Sequence, residues 1–142
     1  MAASKVSADP VGPALVRLSA GLLLALLHGW PKVLAAYGYL VHGQEWRFVK
    51  TVADIGFPAP AFFAVLSALT EFLGGFLLAV GLWTRYVAFF VLFNMAVAVY
   101  RNASRGSFDE LAFLYAIVAL ASLIQGGGSL SLDARLRKTA RG

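Results

Sequence analysis

Cysteine is absent from the chain, so disulfides, thiol redox chemistry and Cys-ligated zinc or iron–sulfur centres are excluded within it. Histidine is nearly absent too. His28 and His42 are the only two, and His42 falls in a loop, so a bis-histidine haem cannot form within one chain. A His-plus-carboxylate metal pair lacks enough converging ligands, and no metal is expected. No glycine-rich phosphate loop precedes a helix; the stretch GGGS follows one and reads as a C-cap and exit. No Ser–His–Asp set lies in a water-accessible position. Charge is scarce as well: 13% of residues are charged, against about 25% in soluble domains. The net charge of +5 is not a nucleic-acid signal. Most of the basic residues sit at the ends of apolar runs, where lipid topology explains them.

What is present is apolar, at 60% hydrophobic residues with a mean hydropathy of +0.76. Four runs stand out, at about 14–36, 59–82, 84–100 and 111–125. A helix needs roughly 20 residues to span the hydrocarbon core, and barrel strands would be about 10 residues long and alternating. The first two runs are long enough, the third is marginal and the fourth is short; none alternates. The fold class expected is all-α, an integral membrane four-helix bundle with a short amphipathic interfacial helix between helices one and two. Run one is read as retained rather than cleaved, because His28, Pro31 and Lys32 occupy its second half and no small-residue cleavage site follows. Pro31 is expected to kink it.

Four spans put both termini on one side. Seven basic residues fall there (Lys5, Arg17, Arg85, Arg135, Arg137, Lys138, Arg141) and five on the other (Lys32, Arg47, Lys50, Arg101, Arg105). That asymmetry favours both termini in the cytoplasm; the membrane expected is a bacterial-type inner membrane. The division expected is a cytoplasmic tail over 1–13, a transmembrane domain over 14–136 and a loose basic tail over 137–142.

The longest loop, at about 38–58, contains QEWRFVKTVADIGFP. Trp46, Phe48, Val49, Val52, Ala53 and Ile55 fall on one side of a helical wheel, and Arg47, Lys50, Thr51 and Asp54 on the other. This is an interfacial helix anchored by Trp46, serving as a connector or as a lid. Pro58 and Pro60 mark the start of helix two. Asn102-Ala103-Ser104 matches a glycosylation sequon weakly. Ser107 or Asp109 caps helix four, with Glu110 in its first turn.

Within ALTEFLGGFLLAV stands an acid, Glu71. A central acidic residue costs about 2.5–3.5 kcal/mol on insertion, which the surrounding Leu, Phe and Val offset at about 0.3–0.6 kcal/mol each. The carboxylate still needs a partner or a proton. At a similar depth lie His28 on helix one, Asn94 on helix three and Tyr115 on helix four, with Lys32 one turn beyond His28 on the same face. Small-residue stripes run beside them, among them Gly21 and Ala25 on helix one and Ala68, Gly74 and Gly75 on helix two. Such stripes let membrane helices approach closely. The candidate site is this intramembrane polar cluster: His28, Lys32, Glu71, Asn94 and Tyr115. It is either a structural network, with Glu71 accepting from His28 or Lys32, or a site for a quinone-like headgroup or a proton relay between Glu71 and His28.

His28 and Lys32 lie in RLSAGLLLALLHGWPKVL and Glu71 in IGFPAPAFFAVLSALTEFLGGFLLAVGLWTR; near the end comes GGGSLSLDARL, where Gly127 adds a third glycine and Ser131-Leu132-Asp133 follows. In order and spacing the three motifs resemble the DoxX family of small four-helix membrane proteins, over about Arg17 to Leu136. The resemblance implies an association with quinone-linked sulfur oxidation and membrane oxidoreductase complexes. It points to an accessory subunit that contacts other membrane subunits and a bound quinone or lipid, not catalytic alone and without a cofactor of its own. The alternatives are a small-molecule or proton permease, which would need to oligomerise, and a structural protein for assembly or lipid interaction.

Overall fold

Apolar runs rich in Leu, Ala and Phe, without period-2 alternation, satisfy their backbone as helices, and the computed structural model, which describes residues 9–140, has no strand among them. It has six helices: α1 Val11–His42, α2 Arg47–Ile55, α3 Pro60–Val80, α4 Thr84–Ala103, α5 Glu110–Gln125 and α6 Leu132–Thr139. Helices α1, α3 and α4 are long and apolar enough to cross a membrane; α5 is apolar but shorter, at 16 residues.

Helix α1 is longer than its apolar run. Its 32 residues extend about 48 Å at 1.5 Å per residue. Nothing in 37–42 breaks a helix, and the chain stops only at Gly43, where φ is 63°. Glycine takes that left-handed conformation without a Cβ clash. The irregularity expected at Pro31 is a π-helical segment, Leu24–Gly29, just before it. Proline crowds the carbonyl four residues back and offers no N–H, so a wider turn upstream relieves the conflict without ending the helix. A second π segment, Thr70–Gly74, interrupts α3, and the two segments pack against each other.

Close approach of α1 and α3 depends on missing side chains. A Cβ on Gly21 would lie 2.5 Å from the Gly75 carbonyl oxygen, one on Gly75 2.7 Å from the Gly21 oxygen, and one on Gly29 2.4 Å from the Phe72 nitrogen. The stripes Gly21–Ala25–Gly29 and Glu71–Gly75–Ala79 therefore meet backbone to backbone. Helix α4 packs on α5 and on the second half of α3, and α5 returns to α1. Leu24, Leu78, Val87, Ala88, Val91, Met95, Ala112, Tyr115 and Ala119 form the core between them. Outside it, large apolar side chains such as Leu27, Phe62, Phe89 and Ile124 are exposed, as a lipid-facing surface requires.

Three local expectations are resolved. Asp109, not Ser107, caps α5, accepting from the Ala112 N–H at 2.9 Å. Asn102 of the sequon donates its amide to Asp109 at 2.8 Å, which ties that side chain into the loop. The end of the chain is helical rather than loose through Thr139, because Ser131 caps α6 from Ala134 N–H and Asp133 sits in its first turn.

Asp133 also caps a second helix across 50 residues of chain. Its carboxylate accepts from Trp83 N–H at 2.8 Å, Thr84 N–H at 2.9 Å and the Thr84 hydroxyl at 2.7 Å, at the positive end of α4. Burial alone would raise its pKa; the Thr84 and Trp83 hydrogen bonds outweigh that and hold it below the ordinary carboxylate range. Gly127 belongs to the same junction, since a Cβ there would sit 2.6 Å from Ser131 Oγ and 2.8 Å from Thr84 Oγ1. The third glycine is what lets the exit loop lie on α4.

Candidate functional site

Helices α3 and α4 are tied together by the turn at 81–83 and touch along Thr70–Val80, but they separate beyond Leu69 toward Pro60. The wedge between them is a cavity of about 270 Å³. Helix α2 covers one end, contributing Phe48, Thr51, Val52 and Ile55. Phe57, Phe63, Phe90 and Phe93 line the walls, and Lys32, Glu71, Asn94 and Arg101 supply polar groups.

Glu71 is 3% exposed and sits in the π segment of α3. Its Oε1 accepts two hydrogen bonds, from Lys32 Nζ at 2.6 Å and from Asn94 Nδ2 at 2.9 Å. Its Oε2 is buried without a protein partner. Lys32 Nζ also lies 4.5 Å above the Phe48 ring, so α2 rests on the ion pair it covers. The pairing follows from side-chain direction. Helical side chains lean toward their own N-terminus. Glu71 on α3 leans toward Pro60, and Lys32 on the antiparallel α1 leans back to meet it.

His28, one turn nearer the start of α1, leans by the same rule away from Glu71. Its ring packs edge-on to Tyr115, with centroids 5.6 Å apart, and it makes no hydrogen bond to Glu71 among those between described residues. The five expected residues thus divide into a charged triad, Glu71–Lys32–Asn94, and an aromatic pair, His28–Tyr115. The direct bond expected for a Glu71–His28 relay is not formed. Of the two donors considered for Glu71, lysine fills the role.

Arg101 shares a stripe with Asn94 and Ala98 and lies outside the expected cluster. It lines the far end of the cavity, and its Nε is buried without a partner. The helical wheel puts Thr51 on the polar face of α2 and Ala53 on the apolar one. The structure turns Thr51 into the cavity and leaves Ala53 exposed. The inward stripe is Phe48, Thr51, Val52 and Ile55, spaced i, i+3, i+4, i+7. Ser67 and Thr70, also on the cavity wall, were detectable as hydroxyls four and one residues before Glu71. Outside the membrane-facing helices, Asp54 on α2 and Arg105 in the α4–α5 loop approach to 3.5 Å.

The DoxX family model matches residues 12–102, which is well over half of the chain and carries α1 to α4 with the charged triad. The chain belongs to the DoxX family. A relative from Haemophilus influenzae, described only as an uncharacterized protein, is 28% identical over 120 residues, covering 75% of this chain and 88% of that one. No solved structure matches. In this DoxX chain the Asp133 junction and α5 lie beyond the matched residues, whereas Lys32, Glu71, Asn94 and the covering helix α2 lie inside them.

Proposed function

We propose that α1, α3, α4 and α5 form a four-helix transmembrane bundle with α2 in the interface, and that the protein is an accessory subunit of a quinone-linked redox complex. Both termini are cytoplasmic in this reading, and the membrane is a bacterial-type inner membrane. Helix α5 spans about 24 Å at 1.5 Å per residue, short of a core of about 30 Å, a mismatch that local thinning of the bilayer accommodates.

The observation that carries the functional reading is Glu71. A carboxylate this deeply buried, with one oxygen accepting two hydrogen bonds and the other without a partner, leaves an acceptor for a ligand donor. Around it, phenylalanines make flat apolar walls suited to a ring. About 270 Å³ holds a headgroup rather than a whole isoprenoid quinone. Leu66, Phe90 and Phe93 are partly exposed on the outer face, so a tail leaves between α3 and α4 into lipid. Lys32 and Arg101 would donate to ring oxygens, and Glu71 would accept from a reduced hydroxyl. The redox chemistry would belong to the quinone and to partner subunits.

The test is Glu71→Gln in the complex purified under mild detergent. Quinol-linked turnover is expected to fall while the complex stays assembled. Intact turnover with an assembled complex would leave Glu71 as a structural residue and sink the quinone site. Flux through liposomes containing the purified chain alone would favour a permease instead.

A further inference from the structure

A second buried charge lies at the opposite end of the molecule. Arg17 on α1 is 6% exposed. It donates to the Gly127 and Leu130 carbonyls, and its guanidinium rests on Gly81. It has no ion pair among the described residues. The nearby carboxylate, Asp133, is engaged at the N-terminus of α4. Arginine does not discharge by losing its proton, and two neutral carbonyls leave a buried cation under-compensated. Its Nε–H has no acceptor at all.

Arg17 lines a cavity of about 230 Å³ between the start of α1 and the end of α5. Val16, Ile117, Val118 and Ala121 form its apolar walls. Val16 is 55% exposed and Ile117 47%, so the cleft opens on the lipid-facing surface. The occupant must bring an oxyanion to a buried guanidinium and lay hydrocarbon along α1 and α5. We propose that this cleft is a binding site for one anionic phospholipid, its phosphate on Arg17 and an acyl chain against Ile117 and Ala121. The site is independent of the Glu71 cavity and does not rest on the quinone reading.

Native mass spectrometry of the full chain in mild detergent, titrated with phosphatidylglycerol or phosphatidylcholine, tests it. One phosphatidylglycerol per chain is expected to be retained about tenfold more tightly than phosphatidylcholine, whose choline ammonium offsets the phosphate charge that Arg17 would meet. Arg17→Leu should abolish that preference. Because this change also removes the two carbonyl bonds, Ala121→Phe serves as the second variant. It fills the cleft without removing Arg17 or its carbonyl acceptors and should lower phosphatidylglycerol retention to a similar degree. Equal retention of the two lipids by the wild type, or unchanged retention in Ala121→Phe, overturns the site. Millimolar inorganic phosphate that raises the melting temperature as much as the lipid does, and displaces it, also overturns the lipid assignment.

Discussion

Replacing Lys32 by Met should be the most damaging single change near the Glu71 cavity, and its effect should depend on Glu71. Lys32 Nζ is 2.6 Å from Glu71 Oε1, with the lysine side chain 30% exposed and the glutamate side chain 4% exposed. Removing one partner of a fully buried pair costs about 3–5 kcal/mol, because the other charge is stranded. Here one side is partly solvated, and Asn94 still donates to the carboxylate, so the expectation for Lys32→Met is about 2–3 kcal/mol. Glu71→Gln should cost less, about 1 kcal/mol. The amide oxygen can still accept from Lys32 and Asn94, and the partly exposed ammonium can hydrate. In the double variant no charge is stranded, so it should be more stable than the two single losses predict, by about 1–2 kcal/mol. Reversible unfolding in mild detergent, followed by tryptophan fluorescence, reads this out. Trp30 is a local probe, since its ring lies 5.5 Å from that of Phe72, next to Glu71. Additivity of the two single changes to within about 0.5 kcal/mol would mean that the pair does not interact energetically, and the account of Glu71 as held by Lys32 would be wrong.

Other expectations follow from the same geometry. Asp133 is held below its ordinary pKa by the Thr84 and Trp83 hydrogen bonds, against the opposing effect of burial. Its contribution is therefore complete above the unfolded value of about 3.9 and is lost as pH falls through the lower folded value; Asp133→Ala should cost about 1 kcal/mol near neutrality and flatten the acid limb of a stability–pH curve. Gly75→Ala should destabilise by about 1–3 kcal/mol, because the new Cβ would meet the Gly21 oxygen and the Ala25 nitrogen at 2.7 and 2.8 Å; Gly12→Ala, which meets nothing within 4 Å, should be neutral in the same thermal assay. Arg105→Ala should change stability by less than about 0.5 kcal/mol, because its pair with Asp54 is about half exposed on both sides; a larger loss would mean that this contact holds α2 in place.

The helices were legible because their signal is local. Run lengths and the Pro58 and Pro60 punctuation place α1, α3, α4 and α5 to within a few residues, apart from the six-residue extension of α1. The depth of the polar groups was also legible, since rise per residue carries it. What depth cannot supply is direction. His28 and Lys32 share a stripe on α1 and differ by one turn, so spacing alone allows either to reach Glu71. The choice is made by the lean of side chains on antiparallel helices and by Gly29, whose missing Cβ lets the α3 backbone press in at that level. The same limit applies to α2: a helical wheel centred one residue off moves Thr51 out and Ala53 in, and only packing against α3 fixes the rotation.

The Asp133 junction was hidden for a different reason. A helix cap is normally sought within four residues of the N-terminus it serves, and α4 has none there; its N-cap residue is Trp83, at φ 48°. The acceptor comes from the other end of the chain, and it reaches α4 only because Gly81, Gly127 and Ser131 let three backbones meet at Arg17. The sequence shows the pieces as a short turn and a run of glycines, each weak alone. Their common purpose appears once the requirement that every buried N–H find a partner is applied to the first turn of α4. The same requirement, applied to Arg17 and to Glu71, finds one buried atom in each without a partner among the described residues, and on those two atoms rest the proposed quinone headgroup site and the proposed lipid cleft.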